Sequence, residues 1–233
     1  TGAIEARIDA FSQTCEPVAV RWLDVGTQLR LVESPLDIAS AVQEKMLKTD
    51  TVQEPGAASR SWIFTSATLG DDAALTWFTE PCGLGTAEIL RVQSPFDYPA
   101  QAGVHVPPGL PKPADPAHSA AVADFVARAA VAIGGRTLVL TTTLRALRTV
   151  SEALQTRFSG SSELEVLVQG QRPKRELLQR FRAGGNEAAG RPGCILVASA
   201  SFWEGVDVPG NALELVVIDK LPFPPPNDPL VEA

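Results

Sequence analysis

Cysteine is scarce and badly spaced for pairing. Cys15, Cys82 and Cys194 are odd in number and far apart, which fits neither a disulfide framework nor a C-x-x-C metal knuckle, so they read as reduced, mostly buried thiols. Histidine is scarcer still: His105 and His118 lie near a proline-rich stretch without partners at metal-ligand spacing. Both read as surface residues, and no metal site is expected. No apolar run approaches the ~20 residues that a bilayer-spanning helix needs, and the first thirty residues carry acids and no basic-then-apolar signal pattern. A soluble, cytoplasmic protein without membrane contact is the expectation. Basic side chains are outnumbered, giving a formal net charge of -7. That balance argues against a broad basic face gripping a polyanion such as duplex DNA, so any nucleic-acid contact should be local. The G-x-G-x-x-G fingerprint of a dinucleotide-binding turn is also missing.

What is present is enough apolar material to fold. With 45% hydrophobic and 20% charged residues over 233 positions, the chain can bury one good core and two smaller ones joined by a linker. Residues 18–25 and 28–32 are β-rich runs around Gly26-Thr27 and predict a hairpin. Ser34-Pro35 suggests a helix start, with Ile38, Ala41, Val42 and Met46 on one face up to about Lys48, followed by a polar loop over 50–60. Residues 61–65 read as a short strand ending in Ser66-Ala67-Thr68-Leu69-Gly70, and Asp71-Asp72 then open a helix carrying Leu75, Trp77 and Phe78.

Prolines crowd residues 95–116, which excludes a long helix or central strand there. The domain boundary is placed at its start, giving domains 1–93 and 94–233. Beyond it, Ser119 is expected to cap a helix with Val122, Phe125, Val126, Ala129 and Ile133 as its buried stripe, closed by Gly134-Gly135. Strands are expected at 137–140, 165–168, 194–199 and 213–218, with helices from 144 and 173 between them. This alternation predicts α/β architecture, a parallel sheet with helices on both faces. Residues 221–229 hold five prolines and read as an extended surface segment, and the chain's stop at Ala233 reads as a cut.

In such sheets ligands bind at the carboxyl ends of the strands. The loop after 194–199, Ala200-Ser201-Phe202-Trp203-Glu204-Gly205-Val206-Asp207-Val208-Pro209-Gly210, combines glycines, acids and a hydroxyl that suit a phosphate or ribose. The plainer reading is a tight turn with Phe202 and Trp203 as core anchors. The helix from Pro173 bears Lys174, Arg175, Arg180 and Arg182, with Arg172 just before it. Its basic face suits a DNA backbone or, more commonly, plain solvent.

The run from Ser201 to Gly210, continuing through Leu213 to Asp228 with Leu221-Pro222-Phe223-Pro224-Pro225-Pro226, closely resembles motif V of the DinG/YoaA group of XPD-like (Rad3-related) superfamily 2 DNA helicases and the segment after it. Thr65-Ser66-Ala67-Thr68-Leu69 is similar to motif III, and Leu140-Thr141-Thr142-Thr143 sits where that family has its motif IV loop. The resemblance implies a RecA-like domain preceded by the closing part of another, from an ATP- and magnesium-dependent motor moving 5′ to 3′ on single-stranded DNA in repair or replication. By position it implies coupling residues Ser66, Ala67 and Thr68, ATP-cleft residues Glu204, Gly205 and Asp207, and DNA contacts at Thr141, Thr142, Ser199 and Ser201. It implies a replicative polymerase accessory subunit as a partner, and a 4Fe-4S cluster whose ligands lie elsewhere in such proteins.

The departures matter as much. No Gly-Lys pair and no Asp-Glu pair occurs, so the phosphate-binding loop and the acidic magnesium motif are missing. The family's arginine-bearing motif VI would fall after Ala233. A C-terminal helicase fragment, inactive alone, is therefore expected. The alternative is a non-hydrolysing module that binds single-stranded DNA or a protein. For Ser66 and Thr68 the competing reading is helix capping, and for Thr141 to Thr143 it is ordinary strand and cap chemistry.

Overall fold

The computed structural model describes residues 2–15, 18–47, 61–185, 190–224 and 228–232. They divide into two compact units, Thr1–Ala102 with Pro224–Ala233, and Gly103–Phe223.

The first unit opens with helix α1 (Gly2–Ser12), then strands β1 (Ala19–Val25) and β2 (Leu29–Pro35), an antiparallel hairpin with Val25 opposite Leu29. The expected hairpin is present, but its second strand runs three residues further, so Ser34-Pro35 ends a strand instead of starting a helix. Asp37 is the cap: its side chain accepts from the Ser40 amide and opens α2 (Ile38–Val42), which continues as a π turn over Gln43–Leu47. Lys48, the expected loop over 50–60 and Pro225-Pro226 lie outside the described residues. Helix α1 had no sequence signal beyond its length. Arg21 Nη1 donates to the carbonyls of Ala10, Phe11 and Gln13 at the end of α1, a cation where helix carbonyls lack partners.

Residues 61–65 do not form a strand. A strand needs a neighbour to bond its amides, and none pairs with this run among the described residues. Ile63 stays 84% exposed. The helix expected after Asp71-Asp72 shrinks to one turn, α3 (Thr76–Thr79), and Trp77 faces solvent. Asp72 supplies its start, accepting from the Ala74 and Thr76 amides. A second short turn, α4 (Tyr98–Gln101), follows.

The second unit holds a four-stranded parallel sheet in the order β4-β5-β3-β6. Its elements are α5 (His118–Ala132), β3 (Thr137–Leu140), α6 (Leu144–Arg157), β4 (Leu164–Val168), α7 (Lys174–Ala183), β5 (Gly193–Ala198) and β6 (Leu215–Ile218). Period-two alternation sorts the strands between two cores. Val139, Ile195 and Val197 pack with Val126, Val150 and Leu154 of α5 and α6, while Leu138, Leu140 and Leu196 pack with Leu177 and Phe181 of α7. Each fully buried aliphatic side chain contributes about 1.5–3 kcal/mol, so β5, buried along its whole length, anchors the unit.

Two expectations here need correction. Ser119 is not the cap of α5; Ala117 is, with its amide donating to the Asp115 carboxylate. Its buried stripe also runs through Ala123, Ala127 and Ala130, with Phe125, Ala129 and Ile133 half-buried at its margin. His118 is buried, not a surface residue. Cys194 is buried as expected, with Cys15 and Cys82 half-buried, and burial pushes the Cys194 thiol up to about 12.

Candidate functional site

The carboxyl ends of the four parallel strands bring together the residues expected to carry chemistry in the second unit. β3 leads into Thr141, Thr142 and Thr143, β4 into Gln169, β5 into Ser199, and β6 into Asp219. Ser66, Ala67 and Thr68 belong to the first unit, where they are exposed. There the Thr68 amide donates to Ser66 Oγ at 3.1 Å. This folds the hydroxyl into its own turn and leaves the capping of α3 to Asp72.

Thr141 is fully buried, and its hydroxyl donates to the Ala198 carbonyl at 3.1 Å. Ser199 is buried too; its amide donates to Gln169 Oε1 at 2.7 Å and its hydroxyl lies 3.4 Å from the same oxygen. Both hydroxyls knit strand ends together. Thr142 differs: its amide donates to Asp219 Oδ1 at 3.1 Å, while its buried Oγ1 has no hydrogen-bond partner among the described residues. Thr143 caps α6 by accepting from the Ala146 amide. The β3 loop therefore stands at the start of a helix, where unpaired amides favour an anion.

The loop after β5 is anchored by its aromatics and presents its polar residues. Phe202 is buried among Leu138, Leu196 and Phe181, and the half-buried Trp203 donates from Nε1 to the Thr141 carbonyl at 3.4 Å. The plainer reading holds for these two side chains. Ser201, Glu204, Gly205 and Asp207 remain exposed. Gly205 has φ +65, a left-handed conformation that a side chain disfavours.

Helix α7 grips this loop. Lys174 Nζ donates to the Ser201 carbonyl and lies 4.9 Å from the centre of the Phe202 ring. One helix-length away, Arg182 donates from Nε and Nη2 to the Asp207 carbonyl. Arg180 pairs with Glu165 and Arg172 with Glu176, each at 2.5 Å. The basic run is thus largely committed to the protein's own oxygens. For Lys174 and Arg182 the sequence gave no hint of this, because their partners are main-chain carbonyls.

Sequence reading also missed Asp219. It is 8% exposed, and burial holds its carboxyl above the ordinary value of 3.8, against the Thr142 and Lys220 amides that donate to it. A usable signal existed: an acid directly after an apolar strand, at the sheet edge where ligands bind.

Among the described residues no cluster of three or more His, Cys, Asp or Glu side chains could hold a metal ion. The cysteines do not fit an iron-sulfur cluster: Cys194 is buried with its thiol pushed up, and Cys15 and Cys82 belong to the other unit. No helix among the described residues is long and apolar enough to cross a membrane.

The parallel sheet, its covering helices and its loaded carboxyl edge define the class as a RecA-like helicase C-terminal domain, and the helicase C-terminal domain family matches residues 126–233. Similar proteins extend the likeness across the chain. The ATP-dependent DNA helicase YoaA of Escherichia coli (strain K12) is 38% identical over 228 residues, 97% of this chain and 33% of the relative. The ATP-dependent helicase DinG of Mycobacterium tuberculosis (strain H37Rv) is 34% identical over 219 residues, 92% of this chain and 30% of the relative. The 3′-5′ exonuclease DinG of Bacillus subtilis (strain 168) is 30% identical over 184 residues, 76% of this chain and 19% of the relative. Over most of its own length the chain is similar to DinG/YoaA-type XPD-like helicases. It spans about a third of the length of the first two relatives.

Proposed function

We propose that this chain supplies, over residues 94–233, the second RecA-like domain of an ATP-dependent DNA helicase, and over residues 1–93 the closing part of the first. The protein it serves uses ATP and magnesium to move 5′ to 3′ on single-stranded DNA in repair or at stalled replication. The observation that carries this reading is the carboxyl edge of the sheet. There the Thr141–Thr143 loop at the start of α6 and the exposed Ser201–Asp207 loop stand on adjacent strands, joined by Trp203.

The two loops divide the work. Amides at the start of α6 suit a DNA phosphate, with Thr142 as the contact and Thr141 and Ser199 as its buried supports. Glu204 and Asp207, carboxylates on a glycine-bearing loop, suit ribose hydroxyls or a basic group across a nucleotide cleft. Ser66 and Thr68 take the coupling role. ATP hydrolysis itself belongs to parts absent from this sequence, since it has neither a Gly-Lys nor an Asp-Glu pair. The resemblance to YoaA also supports a replicative polymerase accessory subunit as a partner.

The test uses a full-length helicase containing this stretch. Glu204→Ala and Asp207→Ala should reduce ATP-dependent unwinding at least about tenfold while leaving thermal melting nearly unchanged, because exposed carboxylates contribute little to stability. Unchanged unwinding in both variants would reject the assignment. A module that only binds DNA would instead show salt-sensitive single-strand binding and no unwinding in the parent protein.

A further inference from the structure

The site described above does not account for the buried histidine at its edge. His118 begins α5, is 7% exposed, and meets a carbonyl oxygen at each ring nitrogen: Pro111 O lies 2.8 Å from Nδ1 and Asp219 O 3.0 Å from Nε2. Carbonyls only accept. A neutral imidazole has one donor nitrogen, so it bonds one of these oxygens and turns a lone pair on the other; only the doubly protonated ring donates to both. The misfit would be costly in a buried place.

Asp219, whose carbonyl His118 meets, has a carboxyl that burial raises above its ordinary value, against the Lys220 and Thr142 amides that donate to it. The other charged groups on the segments His118 contacts are Lys112 beside Pro111, Asp115, whose carboxylate accepts the Ala117 amide, and Lys220, whose amide donates to Asp219. Asp219 in turn is bonded to the end of β3 and to its loop: its amide donates to the Leu140 carbonyl at 3.1 Å, and its carboxylate accepts the Thr142 amide.

We infer that His118 is held as an imidazolium that clamps the proline-rich segment at Pro111 to the end of β6, and that with Asp219 it positions the Thr142 amide in the β3 loop. His118 and Asp219 are positioning residues, and neither need touch a ligand. That the positioned loop contacts DNA rests on the function proposed above. The clamp itself does not.

The 233-residue chain, labelled with nitrogen-15, provides the test. It has two histidines, so His105→Gln leaves one and assigns its ring nitrogens, and two-bond proton-nitrogen spectra separate protonated from bare ring nitrogens. Both nitrogens of His118 should carry protons at pH 7, as the two carbonyl contacts require. Asp219→Ala should speed exchange of the Thr142 amide about tenfold. A bare ring nitrogen on His118 at pH 7 would overturn the inference, as would a Thr142 amide indifferent to Asp219→Ala in a folded chain. Should Asp219→Ala not fold, the wild-type ring spectrum still decides. None of these readouts uses DNA or nucleotide, so their failure leaves the helicase reading intact. Failure of that reading would show separately, as single-strand binding unaffected by Thr142→Ala.

Discussion

Arg182, on the last turn of α7, donates from Nε at 3.0 Å and from Nη2 to the main-chain carbonyl of Asp207. Because the partner is backbone, the bond fixes the path of the loop and leaves the Asp207 carboxylate available. Lys174 does the same at Ser201, so one helix holds both ends of the exposed loop. Arg182→Gln should therefore raise hydrogen exchange over residues 204–208 by about threefold to tenfold, a modest effect because the bond is exposed. Arg182→Lys should recover part of the protection. Unchanged exchange in the glutamine variant would mean the loop holds its shape without the clamp.

The buried hydroxyl of Thr141 offers a stability test. Valine is near in shape but removes the donor to Ala198 O, while the Thr141 amide still serves that carbonyl at 2.8 Å. Thr141→Val should cost about 1 kcal/mol, read as a lower urea midpoint with an unchanged slope. A neutral substitution that weakens DNA binding would instead assign the hydroxyl to the ligand.

Close backbone approach sets a harsher limit at Gly193, where β5 begins. A Cβ there would overlap the Gly134 carbonyl and crowd Gly135. Gly193→Ala should cost about 3 kcal/mol or more, since backbone on both sides cannot give way. Gly26→Ala, with nothing near its added carbon, should stay within about 0.5 kcal/mol. Equal midpoints for the two variants would contradict this packing.

Much of the second unit was legible from residue order. Runs such as Thr137–Leu140 and Gly193–Ala198 are continuously apolar because helices cover both their faces. The first unit was less so: residues 61–65 look like a strand, but strand formation depends on a neighbour that the local sequence does not encode. At the candidate site the residue types at the strand ends were readable and their bonding was not. Thr141 and Ser199 look like phosphate ligands until burial shows their hydroxyls serving Ala198 and Gln169. Lys174 and Arg182 look like a DNA-facing stripe until the loop carbonyls appear beneath them. His118 and Asp219, 101 positions apart, meet only in the fold.

Asp219 should leave a mark on the pH dependence of stability. Its folded-state carboxyl sits above the ordinary value because burial disfavours the charge. The folded chain therefore binds this proton more tightly than the unfolded one, and the group's contribution to stability declines as pH rises from about 3.8, the ordinary value, through its raised folded value. Asp219→Asn should remove that decline, so its stability relative to wild type should improve across the window in paired denaturation curves. Parallel curves would mean that the carboxyl titrates alike in both states.

The central claim is that this chain bears one wall of a nucleotide site whose phosphate-binding parts its sequence lacks. ATP turnover by the purified 233-residue chain, with magnesium and single-stranded DNA, tests it most directly. Binding the triphosphate and orienting water supply most of the barrier reduction in phosphoryl transfer, so no DNA-stimulated hydrolysis above background is predicted. Weak, salt-sensitive strand binding through the β3 loop can persist. Robust turnover abolished by Asp207→Ala would reveal a complete active site within these residues and contradict the account.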